Sequence, residues 1–576
     1  MRARVDTIST RWRRRVGLMF VAVGALLSLA LVGQASAAAP YTSQQITSNA
    51  YANSDPVVSQ GRIAWIGTDK SGLGLMVYDS LTGATKNVSP HVSAYSNHPF
   101  LAGDLVVWGS HWGGSYAIRA VNLLTGQEQI VATPKDDNEE LSTDGTYVAW
   151  YDRATPAGPA DIYLYNSTNG AAQRITNDAL DDYSVEVSDG YVVWERESAV
   201  SPGTLVSVML YDTHTGVTKT LTDNAPRYRG ISIDAGRVIW LDGADALAPI
   251  RLYDIAKGTT SGPLTTPSRK FFVNLGGNKI VWASDAGAAS DIYAYDLTTQ
   301  TTTQLTSSAA SDVFPVTDGR LVAWWTSSGT AAPHVYDLAT GYTTQLGTSG
   351  VWGGVPHLDL GRIAWTAGLD TAAQVYSAVF PVFDDVPTTN LDFSAIQGLA
   401  ERRIVGGYAV SRGATEFRAA NPVLRAQFAK MVAGALRLQV NENMALPPFT
   451  DLGVDDPANL YPHEYVAAVY DAQITLGVTP TKFAPFASIS RAQAVTMVYR
   501  GVQKLYPGSL TAPPAGYKGS LGNFSADHQA AMQALEFNGV LAGVQGFGAK
   551  WSPWVNASRG DLAQILWAIM QKIVSH

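Results

Sequence analysis

Short apolar runs recur along the first two-thirds of this chain with a fixed punctuation. In the stretch Ser188-Asp189-Gly190-Tyr191-Val192-Val193-Trp194, a Gly turn leads into an apolar run that ends in Trp. Val208–Asp212 follows, then Thr215-Gly216, then Thr218–Leu221. β-branched and aromatic runs divided by turn residues read as strands. One unit is therefore cut into four strands, here Ser184–Val187, Tyr191–Trp194, Val208–Asp212 and Thr218–Leu221. The same phrase returns with its Trp at 65, 108, 150, 194, 240, 282, 324 and 365, at intervals of 41 to 46 residues. About four strands per forty-odd residues predicts propeller blades. Eight blades are expected over residues 41–380, with seven as the alternative.

The last unit runs through Trp365 to Val375-Tyr376 and lacks a fourth strand. Gln44-Gln45-Ile46-Thr47 resembles the fourth strands Thr303–Thr306 and Thr344–Leu346, so the first residues are expected to complete the eighth blade and close the ring. The repeated Trp reads as packing between blades, not as a ligand platform. The repeated Tyr-Asp (Tyr78-Asp79, Tyr211-Asp212, Tyr253-Asp254, Tyr295-Asp296, Tyr336-Asp337) reads as turn chemistry, because Asp accepts from backbone N–H groups at strand ends. Gly83, Gly126, Gly170, Gly216, Gly258 and Gly341 sit at the last hairpin of their units, where positive φ is needed. Gln300 stands there in the sixth unit, which predicts a different turn. The phrases x-x-P-x-V-x-x-G-x-V-x-W, I-Y-x-Y-D-L-x-T-G and L-T resemble TolB-like β-propellers. That implies a fold and leaves activity open.

A propeller site is expected where inter-blade loops reach the channel. Those loops hold Asn53 and Asp55, Asn97 and His98, Asn138 and Glu139, Asp182 and Tyr183, Tyr228 and Arg229, Lys270 and Phe271, Asp312 and Phe314, and Trp352. Aromatics mixed with carboxylates suit a sugar or peptide, and a plain solvated rim is the alternative. Asp136, Asp137, Glu139, Glu140, Asp181 and Asp182 form acidic pairs that read either as Ca²⁺ ligands or as surface charge. No G-x-S-x-G, H-E-x-x-H or P-loop pattern occurs. Paired carboxylates for glycoside hydrolysis need no motif and stay open.

After Phe380-Pro381 the period changes to helical. Three units follow, marked by Arg425, Arg491 and Arg559. Each opens near an aromatic (Phe383-Asp384-Asp385-Val386, Phe449-Thr450-Asp451-Leu452, and Phe524) and continues with a helix such as Phe393, Ile396, Leu399, Ala400. A Gly-containing break comes next, at Gly406-Gly407, Gly477 and Gly539–Gly543. A second helix closes the unit, opened by Leu424-Arg425-Ala426-Gln427, Ser490-Arg491-Ala492-Gln493 or Ser558-Arg559-Gly560-Asp561. Ser490 with Gln493 fits a capping box, and Ser558 with Asp561 a looser one. An Arg in the first helical turn faces the positive end of the helix dipole and needs a compensating negative charge. That charge is either internal, from Asp385 and Asp451, or an external anion held by free N–H groups and a guanidinium fork.

F-x-D-V, a helix, G-I-x-x-G, F-x-P and T-R-A-E followed by F-A-x-M-L form the pattern of S-layer homology (SLH) domains. All three units resemble it, at 383–440, 447–505 and 518–576. The resemblance implies an all-α triplet with a pseudo-three-fold arrangement that docks on anionic, often pyruvylated, secondary cell-wall polysaccharide. Carried over, its groove residues are Arg425, Arg491 and Arg559; Asp385 and Asp451; and Gly407, Gly477 and Gly543. Departures are Leu424 for Thr, Arg403 and Gln473 for the first Gly, Gln427 and Gln493 for Glu, and Ala526 for Asp.

Composition sharpens the picture. The chain of 576 residues is 46% hydrophobic and 15% charged, enough apolar material for large cores. Its net charge of -8 hides an asymmetry: residues 1–37 carry six Arg against Asp6, a net of +5, leaving -13 for the rest. An acidic body argues against nucleic acid as a partner. The Arg-rich start, the apolar run Val16–Val32 and Ala35-Ser36-Ala37 form an export-signal pattern over 1–37, with a membrane anchor as the alternative. No other stretch is apolar enough to span. Cys is absent, which removes disulfides, thiolate metal sites, thiol nucleophiles and a lipidated Cys anchor. No cofactor is expected. The expected function is a cell-surface protein held to wall polysaccharide by its C-terminal units, displaying a propeller with an unidentified ligand. A wall-anchored propeller hydrolase, lyase or peptidase is the alternative. A third reading makes the C-terminal units a peptide-binding bundle.

Overall fold

The computed structural model describes residues 41–574 except 94–97, 112–113, 136–139, 156–157, 198–204, 227–229, 244–246, 265–267, 286–288, 328–331, 348–354, 369–371, 411–413 and 457–458. The predicted export signal lies outside the described residues, as do Asn97, Asp136, Asp137, Asn138, Glu139, Tyr228, Arg229 and Trp352.

Eight four-stranded antiparallel sheets form a closed propeller. The fourth blade is Asp182–Ser188, Tyr191–Glu197, Leu205–Asp212 and Val217–Pro226. The inner strands of successive blades touch all the way round, including the first and the eighth. In the eighth blade, His357–Asp359, Arg362–Ala367 and Gln374–Val379 are joined by Thr42–Gln45 as the outer strand, in the register Thr42↔Val379 to Gln45↔Tyr376. Tyr41 stacks on Phe380 at 4.9 Å and extends that seam. Both ends of the propeller are thereby tied into one sheet, which leaves no open blade.

The repeated Trp explains why the blades stay together. Each sits in a core shared with the preceding blade: Trp108 against Ala64 and Val77, Trp194 against Ile162 and Leu164, Trp240 against Val193 and Val208, Trp365 against Ala323 and Val335. Trp65 of the first blade packs on Ala364 and Val375 of the eighth. All eight are at most 4% exposed. Removing an indole of this size from water is worth about 4–6 kcal/mol before ordering costs. The Tyr-Asp turns also behave as expected: the carboxylates of Asp79, Asp212, Asp296 and Asp337 accept from the N–H two residues on, at 2.7–2.9 Å. Gln300 departs from its expectation. It adopts φ +57° and donates to Asp296 O at 2.8 Å, the same turn that Gly341 makes to Asp337 O.

Among the described residues six helices follow: α1 (Phe393–Glu401), α2 (Arg425–Ala435), α3 (His463–Asp471), α4 (Arg491–Leu505), α5 (Gln529–Phe537) and α6 (Arg559–Val574). Their apolar faces share one core, which also takes in Leu81 and Val379 of the propeller. The contact with the propeller is strongly charged. Arg362 grips Glu401 with Nε and a terminal nitrogen at 3.1–3.2 Å, and both side chains are buried. Arg402 pairs with Asp79 at 2.6 Å and lies 5.2 Å from the Trp567 ring centre. Arg320 reaches Asp384 at 2.9 Å. The propeller groups involved lie at the turns that follow the inner strands and at the third-strand turn of blade 1. The opposite end of the channel, where inner strands begin, therefore faces away from the helices.

Candidate functional site

The helical units meet through their cap segments. Val423 N donates to Ala557 O, Ala557 N to Ile489 O, and Ile489 N to Val423 O, at 2.9–3.1 Å, so the three links close a cycle. The next residues repeat the rule: Arg425 N bonds Ala487 O, Arg491 N bonds Val555 O, and Arg559 N bonds Asn421 O. Each second-helix N-terminus thus seats on the loop of another unit. Ser490 and Gln493 form the reciprocal box at 3.1 and 3.3 Å, and Ser558 and Asp561 do so at 3.2 and 3.1 Å. Leu424 has no side-chain oxygen to offer, and only Gln427 reaches back, to Leu424 N at 3.0 Å.

The three arginines cross the seams in the same order. Arg425 Nε donates to Phe483 O at 2.7 Å, with its guanidinium 4.8 Å from the Phe483 ring centre. Arg491 lies over Trp551 at 4.6 Å, and Arg559 over Phe417 at 4.3 Å. Arg559 Nε donates to Phe417 O at 2.7 Å, and a terminal nitrogen to Gly406 O at 2.6 Å. Burial lowers the pKa of Arg425 and Arg559. Among the described residues neither has a carboxylate within ion-pair distance, whereas Arg491 Nε meets Asp561 at 2.8 Å.

The expected internal partners, Asp385 and Asp451, do not pair with these arginines directly. Asp385 accepts from Phe417 N and Arg418 N, and Asp451 from Phe483 N and Ala484 N, at 2.7–2.9 Å. They hold the peptides whose carbonyls receive Arg559 and Arg425. A short carboxylate at that point is close enough to fork onto two N–H groups and too far to touch the guanidinium. Asp561, which the sequence offers only as a cap, is the internal acid. Gly407 and Gly477 lie under Phe383 and Phe449, where a Cβ would approach to 2.6 and 2.5 Å. Gly543 faces Gln564. Arg559 touches Gly406, not Gly407.

A cavity of about 280 Å³ opens beside Arg559, lined also by Gly406, Gln427, Lys430, Met431 and Tyr461. It has two cationic side chains and no acidic one.

The propeller channel differs from its sequence reading. Asn53, Asp182, Lys270 and Asp312 are not rim groups but at most 3% exposed. Asn53 and Asp182 accept the indole N–H of Trp65 and Trp194 at 3.0 and 2.9 Å, and Lys270 donates to carbonyls including Ala248 O. The residues at the register shifts come two positions later, and two of them, Asp55 and Phe314, are among those the sequence places at the channel. Asp55, Ser184, Phe272 and Phe314 hold φ of +50 to +55° at a register shift in their inner strands. Phe272 and Phe314 stand 4.2 Å apart. A cavity of about 530 Å³ is lined by His98, Glu140, Ser142, Ser184, Glu186 and Glu195 with apolar neighbours. Burial, reinforced by Glu195, raises Glu186 to about 7, although its carboxylate accepts from Ile233 N at 3.1 Å. Among the former acidic pairs, Glu140 accepts from Ser184 N, Asp181 pairs with Arg153 and Asp182 with Arg196. Among the described residues no group of three or more His, Asp or Glu is placed to hold a metal ion. No described helix is long and apolar enough to cross a membrane.

Comparison with known proteins adds four findings. An endoglucanase of Bacillus sp. (strain KSM-635) is 28% identical over 204 residues, 35% of this chain, and the match spans 20% of that protein's length. The propeller domain of the Trilobed protease from Pyrococcus furiosus is similar at a TM-score of 0.39 and 11% identity, over 49% of this chain and 92% of that one. An acylaminoacyl peptidase from Pyrococcus horikoshii is similar at 0.39 and 13%, over 55% and 57%. Likeness at these scores carries no argument about activity. Residues 458–495, from α3 through the first turn of α4 and its Arg491, match the S-layer homology domain family, so the chain carries an SLH domain behind an eight-bladed propeller.

Proposed function

We propose that this is an exported cell-surface protein, held noncovalently on anionic secondary cell-wall polysaccharide by three SLH repeats in a pseudo-three-fold arrangement. The propeller is displayed for binding. The observation that carries the reading is the set of three arginines at helix N-termini, two of which have no carboxylate within ion-pair distance among the described residues, Asp451 and Asp385 acting on Arg425 and Arg559 only from further off. A cation on the positive end of a helix is unfavourable unless an anion completes the site. The cyclic cap contacts support three equivalent seams, and the family match at 458–495 supports the wall as target. Pyruvate ketals on the polymer would supply carboxylates of the right charge.

Full-length protein should pellet with purified sacculi and stay soluble when the acidic polymer has been extracted from them. Arg491→Ala with Arg559→Ala should reduce pelleting. Equal pelleting before and after extraction would remove the reading.

The carboxylates round the channel cavity favour a second reading, an anchored polysaccharide hydrolase or lyase. Glu186 stays partly protonated near neutrality beside a second acid, as acid–base catalysis requires. The endoglucanase similarity, over a fifth of that protein, is consistent with either reading. Release of reducing ends from wall polysaccharide, abolished by Glu186→Gln, would favour it over a pure binding role.

A further inference from the structure

Blade repetition lets one position of the channel be followed round the ring. The residue ten places before the repeated Trp is Asp55, His98, Glu140 and Ser184 in blades 1 to 4. In blades 5 to 8 it is Gly230, Phe272, Phe314 and Val355. Four consecutive members, His98, Glu140, Ser184 and Gly230, line the cavity of about 530 Å³. The other four hold the same place on their own inner strands, so the ring has one polar arc and one apolar arc. Phe272 and Phe314 meet across the seam of blades 6 and 7, with ring centres 4.2 Å apart. Gly230 lies beside Val273, the residue after Phe272, and adds no side chain on that flank of the cavity. The backbone holds this position in the left-handed region, at φ +50 to +55° for Asp55, Ser184, Phe272 and Phe314 and +98° for Gly230. A bulky residue is strained there, and Gly230 shows what the position takes when no side chain is needed. Phe272 is 43% exposed, so burial offsets little of its strain.

Resting on the reading of the propeller as displayed for binding, we propose that the channel takes an uncharged sugar unit, stacked on Phe272 and Phe314 with its hydroxyls turned to His98, Glu140 and Ser184. A pyranose has a C–H face and a rim of hydroxyls, which matches a ring split into an aromatic arc and a polar one. Carboxylates accept hydroxyl protons in strong, charge-assisted bonds. The described lining of the cavity includes Glu140, Glu186 and Glu195 and no Lys or Arg, so an acidic sugar meets like charge. The glycan taken by the propeller is therefore chemically distinct from the acidic polymer proposed for the helices. A peptide strand fits less well. The inner strands of blades 1, 4, 6 and 7 shift register at this point, and a bulge interrupts the edge on which an added strand would pair.

The test is isothermal titration calorimetry of the full chain. Cellohexaose, mannohexaose and chitohexaose are the neutral probes, trigalacturonate the acidic one, and the peptide Gly-Phe-Lys-Phe-Gly the competitor of another class. At least one neutral probe should bind at millimolar concentration or below, and trigalacturonate should not. Phe272→Gly and Phe314→Gly should each weaken that binding by at least about ten-fold, the loss of one stacking surface. Glycine suits the backbone at both positions, so thermal midpoints should hold or rise and lost affinity is not lost folding. If Phe314→Gly fails to fold, Phe272→Gly, at the more exposed ring, decides the matter. Folded variants that bind as tightly as wild type overturn the proposal. So does binding of trigalacturonate or the peptide in place of the neutral probes, or binding of none. Pelleting with sacculi is measured on the same proteins and should not change with either substitution. A wild type that binds sugar but does not pellet removes the wall-anchoring reading and leaves the channel assignment standing.

Discussion

Replacing Glu186 with Gln should change how stability depends on pH. Burial and Glu195 move this carboxyl from an ordinary value of 4.5 to about 7 in the folded protein. Its contribution to stability is fully present below about 4.5 and is lost as pH rises through about 7, because the folded site resists the charge that the unfolded chain accepts freely. At about 1.4 kcal/mol per pH unit, the gap amounts to about 3 kcal/mol. The carboxyl lines a cavity rather than solid core, so solvent trims this to about 2 kcal/mol. The substituted amide cannot ionise and still presents an oxygen to Ile233 N. His357 acts in the opposite direction. Burial and His98 hold it at about 4, so its contribution is present above 6.5 and lost as pH falls toward 4. That limb is common to both proteins and cancels in the difference. Urea unfolding followed by Trp fluorescence, at intervals from pH 4.5 to 8.5, should show Glu186→Gln gaining about 2 kcal/mol relative to wild type across this range. Parallel profiles would refute the assignment of a protonated carboxyl to the channel.

Gln300→Gly should raise stability by about 1 kcal/mol, because the wild-type residue holds φ +57° in a turn that glycine adopts without strain; differential scanning calorimetry reads the shift. Glu401→Ala should cost about 3–5 kcal/mol by stranding Arg362 in a buried site, with a lower thermal midpoint and faster proteolysis between residues 380 and 393.

The blade count, the closing role of the N-terminal strand and the packing role of the eight Trp residues follow from periodicity. A side chain that recurs every forty-odd residues occupies one place in every blade, and a seam one strand short must borrow it. The capped second helices are legible too, since Ser490 with Gln493 and Ser558 with Asp561 are local pairs. What the linear pattern does not carry is direction across the fold. Asn53 and Asp182 read as rim groups, but the register shift in the inner strands turns them onto their own Trp and brings Ser184, which the pattern does not single out, to the channel cavity. The pairing of Arg491 with Asp561 spans seventy residues, and Arg362 with Glu401 joins the propeller to the helices. Repeats determine which residues are equivalent, because local hydrogen bonding and side-chain spacing act along the chain. Which equivalent arginine has a carboxylate in direct contact depends on what another unit places beside it, and only the folded arrangement brings those two positions together.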